Sequence, residues 1–573
     1  MAPPVTREDI SRILDEIALL LELKGENPFK SRAYQNAARH IESLDDFDSL
    51  VAEGKLSTVK GIGEALTAKI MELITTGRLT YYENLKAEIP PGHREMLRIP
   101  SLGPRKIRTL FERLQIESID ELENACKEDR LINIPGFGKK TQEKILAGIE
   151  HLKRYQQRHL YADVIQEAEM LLDYVLKHPD TVSANIAGSL RRCNETVKDI
   201  DIIASSRQAS ALGDYFAGLP LVQSVTAKGE TKVSVILTSG INSDLRIVES
   251  DVFPYALHHF TGSREHNTAM RGRAKKMGLK MNEYGLFKGE AHIPCRNEKE
   301  IFRALGLQYI PPEMRENMGE IEAAETSALP HLIEEGDIRG LFHIHTSESD
   351  GASSLEALVK KAKEMGLKYI GISDHSQAAY YAGGLAPETV KRQHELIDTL
   401  NARETPFHIF KGIEADILPD GRLDYDDDVL SRFDFVIAAV HSYFNMPETA
   451  MTDRIIKALA NRHTTMLAHP TGRLLLAREP YAVDIRAIID SAAENNKILE
   501  LNALPQRLDL DWRHCIYAKK KGVAIAINPD AHHLDDMSAI RYGVNIARKG
   551  WLERRDCINC LELDKIRTLL IRP

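Results

Sequence analysis

The chain of 573 residues is too long for a single hydrophobic core, so three or more domains are expected. Its apolar and charged fractions, 43% and 28%, are ordinary for a globular protein, and no apolar run is long enough to span a membrane, which excludes an integral membrane protein. Six scattered cysteines favour a reducing, cytoplasmic compartment, and the net charge of −9 does not exclude nucleic acids, because local patches of charge decide such binding.

The N-terminal part contains the same short pattern three times: a helix, a tight glycine turn and a second helix. The turns lie at residues 59–63, 99–103 and 134–138. Glycine permits positive φ and leaves free N–H groups at the start of the next helix, where phosphate binds. One copy would be an ordinary packing device, but three favour helix-hairpin-helix elements that contact the DNA backbone without reading sequence. The glycines concerned are Gly61, Gly63, Gly103, Gly136 and Gly138, with Ser101 replacing a glycine in the second copy.

Lys69 lies in the helix after the first of these turns, with Lys30 and Tyr34 upstream. A lysine beside other cations can lose its proton and form a Schiff base with an aldehyde sugar. Lys69 could instead contact a phosphate or simply be exposed. The residues alone favour one of these two roles over a Schiff-base lysine.

Two aspartates alternate with isoleucine in an apolar run, residues 199–204, that predicts a buried strand. Side chains two residues apart on a strand point to the same face, so the carboxylates of Asp199 and Asp201 project into one space. Asp244 begins a later strand and supplies a third carboxylate. Three such groups predict a site for two divalent ions, of the kind that activates a 3′-hydroxyl.

A turn of small residues, Gly188-Ser189, precedes this strand and is followed at once by Arg191 and Arg192. Free N–H groups, a hydroxyl and guanidinium groups are the donors that a polyphosphate needs. A metal site beside such a cradle predicts nucleotidyl transfer.

The motifs G-S-x-R-R, D-I-D, D-L-R and, at residues 260–271, F-T-G-S…N…M-R occur in this order. The order resembles that of family X DNA polymerases, the group of DNA polymerase beta, over roughly residues 1–318. The resemblance implies a lyase-type domain, fingers, an α+β nucleotidyltransferase palm with thumb, and Mg²⁺ or Mn²⁺ on the three aspartates. It also places Lys69 at the Schiff-base position. The nucleotide would be held by Gly188, Ser189, Arg192, His259, Phe260, Gly262, Asn267 and Arg271.

Two residues depart from the family pattern. Lys198 stands where glycine is usual, directly before the first metal aspartate, and His259 stands where tyrosine is common. A lysine at that point would crowd the site or pair with the carboxylates, so a weakened polymerase is an open alternative, as is altered sugar selection.

From residue 337 onward, short apolar strands alternate with amphipathic helices, which predicts a parallel β/α barrel. Nearly every predicted strand ends in a histidine or a carboxylate, and active sites of such barrels lie at those ends. Mixed nitrogen and oxygen ligands suit Mn, Zn or Fe better than Ca. The candidates are His343, His345, Asp350, His375, Glu414, His441, His469, Asp530 and His532.

This second region resembles the polymerase and histidinol phosphatase (PHP) domain, a distorted β/α barrel, across residues 337–573. The resemblance implies nine ligands for up to three Mn²⁺, Zn²⁺ or iron ions, and all nine positions are filled. Arg473 is expected to clamp a phosphate. The expected reaction is hydrolysis of phosphoesters, as 3′–5′ exonuclease, 3′-end trimming or cleavage at abasic (AP) sites; a metal-bearing but silent scaffold is the alternative.

The whole multidomain chain therefore resembles a bacterial-type family X DNA polymerase fused to a PHP domain. We expect a monomer that fills short gaps in base excision repair, uses dNTPs on gapped or nicked DNA, and lies in the cytoplasm at the nucleoid. A PHP nuclease with a weakened polymerase site and a DNA-end-binding factor are the alternatives. The expected parts are a helical lyase-type domain (1–80), fingers (81–151), palm (152–252), thumb (253–318), a linker or short acidic helix (319–336) and the PHP domain (337–573).

Overall fold

The computed structural model describes residues 6–42, 44, 47–59, 61–97, 99, 102–155 and 158–570. The chain divides into two compact units, Met1–Gln156 and Gln157–Pro573. Within the described ranges, no helix is both long and apolar enough to cross a membrane. Helical N-terminal domains, a palm with thumb and a C-terminal β/α barrel were predicted, and this fold class is confirmed.

The first unit is helical throughout its described part, and the apolar faces of its helices share one core. The first helix begins with a capping box between Thr6 and Asp9 and ends at Gly25, whose φ is 79°. The helices are α1 (Arg7–Lys24), α2 (Pro28–Glu42), α3 (Phe47–Ala52), α4 (Glu64–Thr76), α5 (Thr80–Ala87), α6 (Pro91–Met96), α7 (Pro104–Leu114), α8 (Ile119–Lys127) and α9 (Lys139–Tyr155).

Each of the three predicted glycine turns contains an equivalent backbone hydrogen bond. The N–H groups of Ile62, Leu102 and Phe137 donate to the carbonyl three residues earlier, over 3.0, 3.1 and 2.9 Å. All three side chains are buried in the helical core, so the same apolar anchor fixes each turn. Lys60, Pro100 and Ser101, which belong to these motifs, lie outside the described residues.

The second unit begins with a five-stranded sheet, called the palm sheet here, in the order β2-β4-β7-β6-β5. Strands β4 and β7 are parallel neighbours, and the other pairs are antiparallel. The elements are β1 (His159–Leu160), α10 (Tyr161–Lys177), β2 (Thr181–Ile186), α11 (Gly188–Arg191), β3 (Thr196–Val197), β4 (Asp199–Ser206), α12 (Ala209–Ala217), β5 (Val222–Lys228), β6 (Lys232–Leu237) and β7 (Asn242–Val248).

Residues 253–325, called the thumb here, combine four helices with a three-stranded antiparallel sheet in the order β10-β9-β8. A short acidic helix ends this region, and its Glu320 is fully buried, with Oε1 2.7 Å from Nδ1 of His266. The elements are α13 (Phe253–Thr261), α14 (Arg264–Lys276), β8 (Lys280–Asn282), β9 (Gly285–Lys288), β10 (Ala291–Ile293), α15 (Glu298–Ala304) and α16 (Glu320–Glu325).

The C-terminal region is a barrel of seven parallel strands in sequence order, β11 to β17. Bridges between Ile344 and Ala531 bring the last strand back to the first, so the barrel is nearly closed. The strands are β11 (Gly340–Ile344), β12 (Tyr369–Ile372), β13 (His408–Asp416), β14 (Phe435–Ala439), β15 (Met466–Leu467), β16 (Ile498–Asn502) and β17 (Ile525–Asn528). The helices are α17 (Leu355–Glu364), α18 (Pro387–Glu404), α19 (Asp427–Leu430), α20 (Glu448–Leu459), α21 (Ile485–Glu494), α22 (Trp512–Lys521), α23 (Ile540–Lys549) and α24 (Leu563–Leu570).

Aromatic side chains fill the interior of the barrel. Phe342 and Phe435 are fully buried there, with ring centroids 5.1 Å apart. A Cβ would lie 2.7 Å from the Phe435 ring if it were added to Gly371, and 2.1 Å from it if added to Gly412. Only glycine at these two positions therefore leaves room for the ring. The packed interior closes one end of the barrel and leaves the strand ends free for chemistry.

Buried charges join the palm to the barrel. Arg473, which follows β15, pairs with Glu195 in the turn before β3. Lys549 at the end of α23 lies 2.5 Å from Glu316 and donates to the Arg192 carbonyl over 3.1 Å. These contacts tie the turn that follows the G-S-x-R-R motif to the barrel.

Candidate active sites

Three carboxylates face one region of the palm sheet. The register of β4 and β7 places Asp201 opposite Asp244, and Asp199 lies two residues along the same strand face. Burial and then the Asp199 and Asp244 carboxylates raise the pKa of Asp201 to about 6. Burial and Asp244 also raise the pKa of Asp199. Like charges held this close suit hard divalent cations, which would neutralise them.

A lysine that the sequence analysis did not single out also lies at this site. The Lys232 ammonium on β6 is 2.6 Å from an Asp244 carboxylate oxygen. Lys198, the departure noted above, is exposed beside Asp199 and lowers the pKa of that carboxyl against the stronger effect of burial. The palm carboxylates are therefore partly neutralised by two lysines.

Gly188 lets the phosphate motif approach the carboxylates. Its φ is 61°, and a Cβ there would lie 2.2 Å from a carboxylate oxygen of Asp201. Any other residue would displace one of the two groups, so the glycine fixes the distance between cradle and carboxylates. Ser189, the next residue, is half-buried.

The two arginines of the motif contact the thumb. Arg191 lies 2.7 Å from Glu298 and donates to the Thr261 hydroxyl over 2.6 Å. Arg192 lies 3.0 Å from Glu316 and donates to the Thr261 carbonyl over 2.8 Å. The predicted triphosphate ligand Arg192 is thus already paired with a carboxylate.

The predicted thumb residues of the nucleotide pocket lie together. Asn267 donates to the His259 carbonyl over 2.6 Å, and its Oδ1 is buried without a partner. A Cβ on Gly262 would lie 2.8 Å from that oxygen. The Arg246 guanidinium covers the Phe260 ring at 4.4 Å, and Arg271 is exposed on α14.

Lys69 lies among the residues predicted to accompany it. Its ammonium is 5.0 Å from the centre of the Tyr81 ring, and that of Lys30 is 5.7 Å from the same ring. Tyr34 stacks on Tyr81 with 6.1 Å between ring centroids. Lys69 is half-buried and donates to the Ala65 carbonyl over 3.3 Å. Two cations and two phenols therefore form one small site on the helical unit.

The glycine turns present open backbone. The φ values of Gly61 and Gly136 are 90° and 89°, a region that side chains rarely adopt. A Cβ added to any of the other three glycines, Gly63, Gly103 or Gly138, would have no atom within 4 Å. A Cβ on Gly61 would lie 2.8 Å from Nδ1 of His40, but the other four glycines leave room for a bulky ligand such as a phosphate backbone to approach.

All nine predicted barrel residues come together at the strand ends. They form four overlapping groups, and the ligand atoms of each group lie within 4.8 Å of one another. The groups are His345, Asp350, His375 and His532; His343, His469 and Asp530; His343, His345 and Glu414; and His375, Glu414 and His441. Among the described residues no other group meets this criterion, so the palm carboxylates are more widely spaced.

Glu414 lies at the centre of this cluster. One of its oxygens is 3.2 Å from His343, 3.2 Å from His441 and 3.1 Å from His469. The other oxygen is 2.9 Å from His375. Although burial opposes ionisation, these histidines hold the pKa of Glu414 well below its usual range. A carboxylate among four imidazoles is a ligand that can bridge metal ions.

Several buried atoms of the cluster lie close to other side chains of the cluster but make no hydrogen bond of good geometry. They include Nε2 of His343, both ring nitrogens of His345, Nδ1 of His375 and one oxygen of Glu414. Unsatisfied buried polar groups are costly, and a bound metal ion would satisfy those of this cluster. The donor set and its orphaned atoms fit divalent transition metals.

Comparison with known proteins matches each region of this architecture. A model of the DNA polymerase beta thumb matches residues 256–316, and one of the PHP domain matches residues 342–504. A helix-hairpin-helix domain and a SAM-like helix-hairpin-helix tandem match residues 5–79 and 94–150. The DNA polymerase/3′-5′ exonuclease PolX of Bacillus subtilis is 40% identical over 570 residues, which is 99% of each chain.

The chain belongs to the bacterial family X DNA polymerases with a PHP domain. A probable phosphatase of Caldicellulosiruptor saccharolyticus is 33% identical over 211 residues, 34% of this chain and 81% of that protein. The DNA polymerase lambda of Arabidopsis thaliana is 23% identical over 355 residues, 55% of this chain and 63% of that protein. The family predicted from the sequence is confirmed.

Three of the predicted ligands in the barrel of this family X chain have strained backbones. The φ values of His343, His469 and Asp530 are 57°, 27° and 49°, in the left-handed region. Such a conformation costs about 1–3 kcal/mol for a residue other than glycine and persists only where the surroundings enforce it. These three residues form one of the four ligand groups, so the fold enforces their position before any ligand binds.

Buried carboxylates behind the ligands orient them. Glu500 lies 2.6 Å from Nδ1 of His343 and accepts the backbone N–H of His469 over 2.7 Å. Asp416 lies 2.7 Å from Nδ1 of His441. Such outer partners set which ring nitrogen faces the metal. The sequence analysis missed both, although the acidic Glu500 inside the apolar run of residues 498–501 was a usable signal.

Two arginines flank the PHP site in different ways. Arg473, the predicted phosphate clamp, is 9% exposed and donates to the Arg507 carbonyl over 3.0 Å and to Asp511 over 3.0 Å, besides pairing with Glu195. The Arg507 side chain is more exposed, and its Nε lies 3.3 Å from the ligand Asp530. In this structure Arg473 is fully engaged by protein groups, and Arg507 is the cation next to the ligands.

Proposed function

We propose that the protein is a DNA-directed DNA polymerase for short gaps whose PHP barrel removes nucleotides from 3′ ends. The observation that carries this proposal is the presence of two separate acidic centres in one chain, three carboxylates on the palm sheet and nine ligand residues at the barrel strand ends. The full-length likeness to a DNA polymerase/3′-5′ exonuclease supports both halves.

In the palm, Asp199, Asp201 and Asp244 would hold Mg²⁺ or Mn²⁺. Ions at such a site neutralise the triphosphate and assist ionisation of the primer 3′-hydroxyl. The chain's own contribution is to aim the carboxylates at one space and to keep Ser189 close to them through Gly188.

Binding of a dNTP would use the arginine and thumb residues described above. Arg192 would exchange Glu316 for phosphate oxygens, because both are anionic partners of the same guanidinium. His259 and Phe260 would lie against the sugar, and Asn267 and Arg271 would contact the nascent base pair or template.

In the barrel, the nine ligands would hold up to three ions, which we propose to be Mn²⁺, Zn²⁺ or iron. Ions of this type polarise a phosphodiester and lower the pKa of water. Glu500 and Asp416 orient the imidazoles, and Arg507 is placed to bind a phosphate of the strand being shortened. Arg473 could join it only by leaving its present partners. Cleavage at abasic sites is a further reaction that this centre could perform.

The helical unit would hold the DNA. Its three turns present open backbone to the phosphates of gapped or nicked DNA, without reading sequence. Lys69 would act as a Schiff-base lysine on a 5′-sugar, supported by the nearby Lys30 and Tyr34. The monomeric state and the domain limits given above remain proposals.

One observation favours a second candidate, a PHP nuclease with a weakened polymerase site. Lys232 forms an ion pair with a carboxylate oxygen of Asp244, and Lys198 lies beside Asp199. If these lysines restrain metal binding, Lys198→Gly should raise the rate of primer extension. An unchanged rate would remove Lys198 from the argument.

The proposed function is tested on a gapped duplex with a labelled primer and Mn²⁺, with and without dNTPs. The variants are Asp199→Ala/Asp201→Ala in the palm and His343→Ala/His345→Ala in the barrel. The matched controls are the exposed Asp251→Ala and His331→Ala.

Primer growth should be lost only in the palm variant, and primer shortening only in the barrel variant. Shortening without growth in the wild type would support the nuclease reading. Loss of both activities in one variant would contradict two independent centres, and neither activity in the wild type would leave only a DNA-end-binding role.

A further inference from the structure

A loop beside the PHP site displays two tyrosines. Residues 376–385, called the tyrosine loop here, follow the ligand His375. Tyr380 is 86% exposed, more than any other large apolar or aromatic side chain of the described residues, and Tyr381 is 63% exposed. The centroid of the Tyr381 ring is 6.4 Å from that of His375 and 6.3 Å from that of Tyr380. Two exposed rings therefore lie next to the ligand cluster.

The backbone of the tyrosine loop is well held. The N–H of Leu385 donates to the His375 carbonyl over 2.8 Å, and that of Ser376 donates to the Glu414 carbonyl over 2.9 Å. The base of the loop is thus hydrogen-bonded to two ligand residues. A Cβ on Gly384 would lie 2.0 Å from the Ser376 carbonyl oxygen, so the loop also closes tightly on itself. Its exposed rings are a feature of a fixed loop.

The apolar side chains of the same loop point the other way. Ala379, Ala382 and Leu385 are buried, with 0%, 5% and 2% exposure. The loop therefore has a buried face and a solvent face, and it places its two largest side chains on the solvent face. Single exposed aromatic residues are common, but an adjacent pair at the rim of an active site points to a ligand.

We propose that Tyr380 and Tyr381 form a stacking platform for unpaired bases at the 3′ end of the strand that the PHP site shortens. This inference rests on the proposed nuclease function. Every base has a π-face, so aromatic stacking accepts any sequence, as an enzyme that trims arbitrary ends requires. A paired terminal base is held in the duplex by its partner and cannot move to a separate platform without breaking the pair, so the platform would favour frayed or mismatched ends.

The test uses the full-length protein and two single-stranded oligonucleotides that differ only in the last nucleotide, which carries a base or is abasic. Variants are Tyr380→Ala/Tyr381→Ala and Tyr380→Phe/Tyr381→Phe, with Tyr284→Ala, 62% exposed in the thumb, as the matched control. The double alanine variant should lose about 5- to 150-fold in kcat/KM on the base-bearing end, the range expected for stacking of one base. It should change less than about 2-fold on the abasic end, and the phenylalanine variant should retain activity on both.

A second measurement does not need cleavage. With Ca²⁺ in place of Mn²⁺, the fluorescence of a 3′-terminal 2-aminopurine should be quenched on binding to the wild type and to the phenylalanine variant, but not to the alanine variant. Equal losses on both ends, or no quenching by the wild type, would overturn the platform. A wild type that quenches but cleaves neither end would overturn the nuclease function and leave the platform standing.

Discussion

The palm and the barrel both gather acidic residues, but they hold them in different ways. In the palm, Asp199 is exposed and Asp244 is paired with Lys232. The oxygen atoms of the three carboxylates do not all lie within 4.8 Å of one another. In the barrel, nine residues interlock in four groups, and three of them are fixed in strained conformations. The comparison indicates that the barrel cluster is organised by the fold, whereas the palm carboxylates are held more loosely and would need the proposed metals and nucleotide to bring them together.

The largest effect is expected from Glu414→Gln, because this carboxylate contacts four histidines of the cluster. Primer shortening should fall by more than about 100-fold while primer extension stays unchanged. Bound manganese, measured by mass spectrometry, should fall in parallel. Glu448→Gln, an exposed residue on α20, is the control. An equal loss of extension would break the separation of the two centres.

Removing an outer partner should have a smaller effect. Glu500→Gln should lower metal affinity by about 10- to 100-fold, because His343 would lose its orienting carboxylate. Shortening should then recover at high Mn²⁺ concentration. Glu494→Gln, exposed at the end of α21, should behave as wild type. Failure of Mn²⁺ to rescue the activity would mean that Glu500 supports the fold of the barrel.

Acid should weaken the buried ion pairs that Glu298 of the thumb makes with Arg191 of the palm and Arg315 of the thumb. Burial opposes ionisation of Glu298, but Arg315 and Arg191 lower its pKa to about 2 from the ordinary 4.5. Since the folded-state pKa is the lower one, this carboxylate contributes about 3 kcal/mol above about pH 4.5, and the contribution is lost as pH falls toward 2. Glu298→Gln should therefore lower the unfolding midpoint at pH 7 and flatten its fall between about pH 5 and 2.5. Glu290→Gln, which is exposed, should keep the wild-type slope.

The smallest effect concerns the lysine on the palm carboxylate. Lys232→Met should reduce the Mg²⁺ concentration for half-maximal primer extension several-fold, because the cation no longer competes for Asp244. Lys228→Met, which removes a similarly exposed pair with Asp214, is the control. A higher Mg²⁺ requirement would show that Lys232 supports the site.

The clustering of the nine barrel residues could be predicted because a parallel barrel brings every strand end to one side. His343, Glu414 and Asp530 each follow an apolar run, and topology alone then brings them together. The palm aspartates were predictable for a similar reason, since the two-residue period of one strand fixes their common face. Local periodicity was sufficient in both cases.

The remaining features depend on contacts between distant segments. Lys232 reaches Asp244 only because β6 and β7 pair in one register, and a shift of one residue would turn it away. Arg473 meets Glu195 across 278 positions of sequence, a distance that no local pattern spans. The acidic segment before the barrel forms α16, whose Glu320 is buried against His266, although acidic composition alone also allowed a linker.

The buried charges between palm and barrel have a consequence for experiments that cut the protein. A barrel expressed alone would retain Arg473 and Lys549 without Glu195 and Glu316, and a palm and thumb expressed together would retain the two glutamates without the barrel cations. Each fragment would carry uncompensated charge on a surface that the whole protein never exposes. Rates measured on such fragments would not report the activity of the intact protein. Point variants of the intact chain are the better way to assign its two activities.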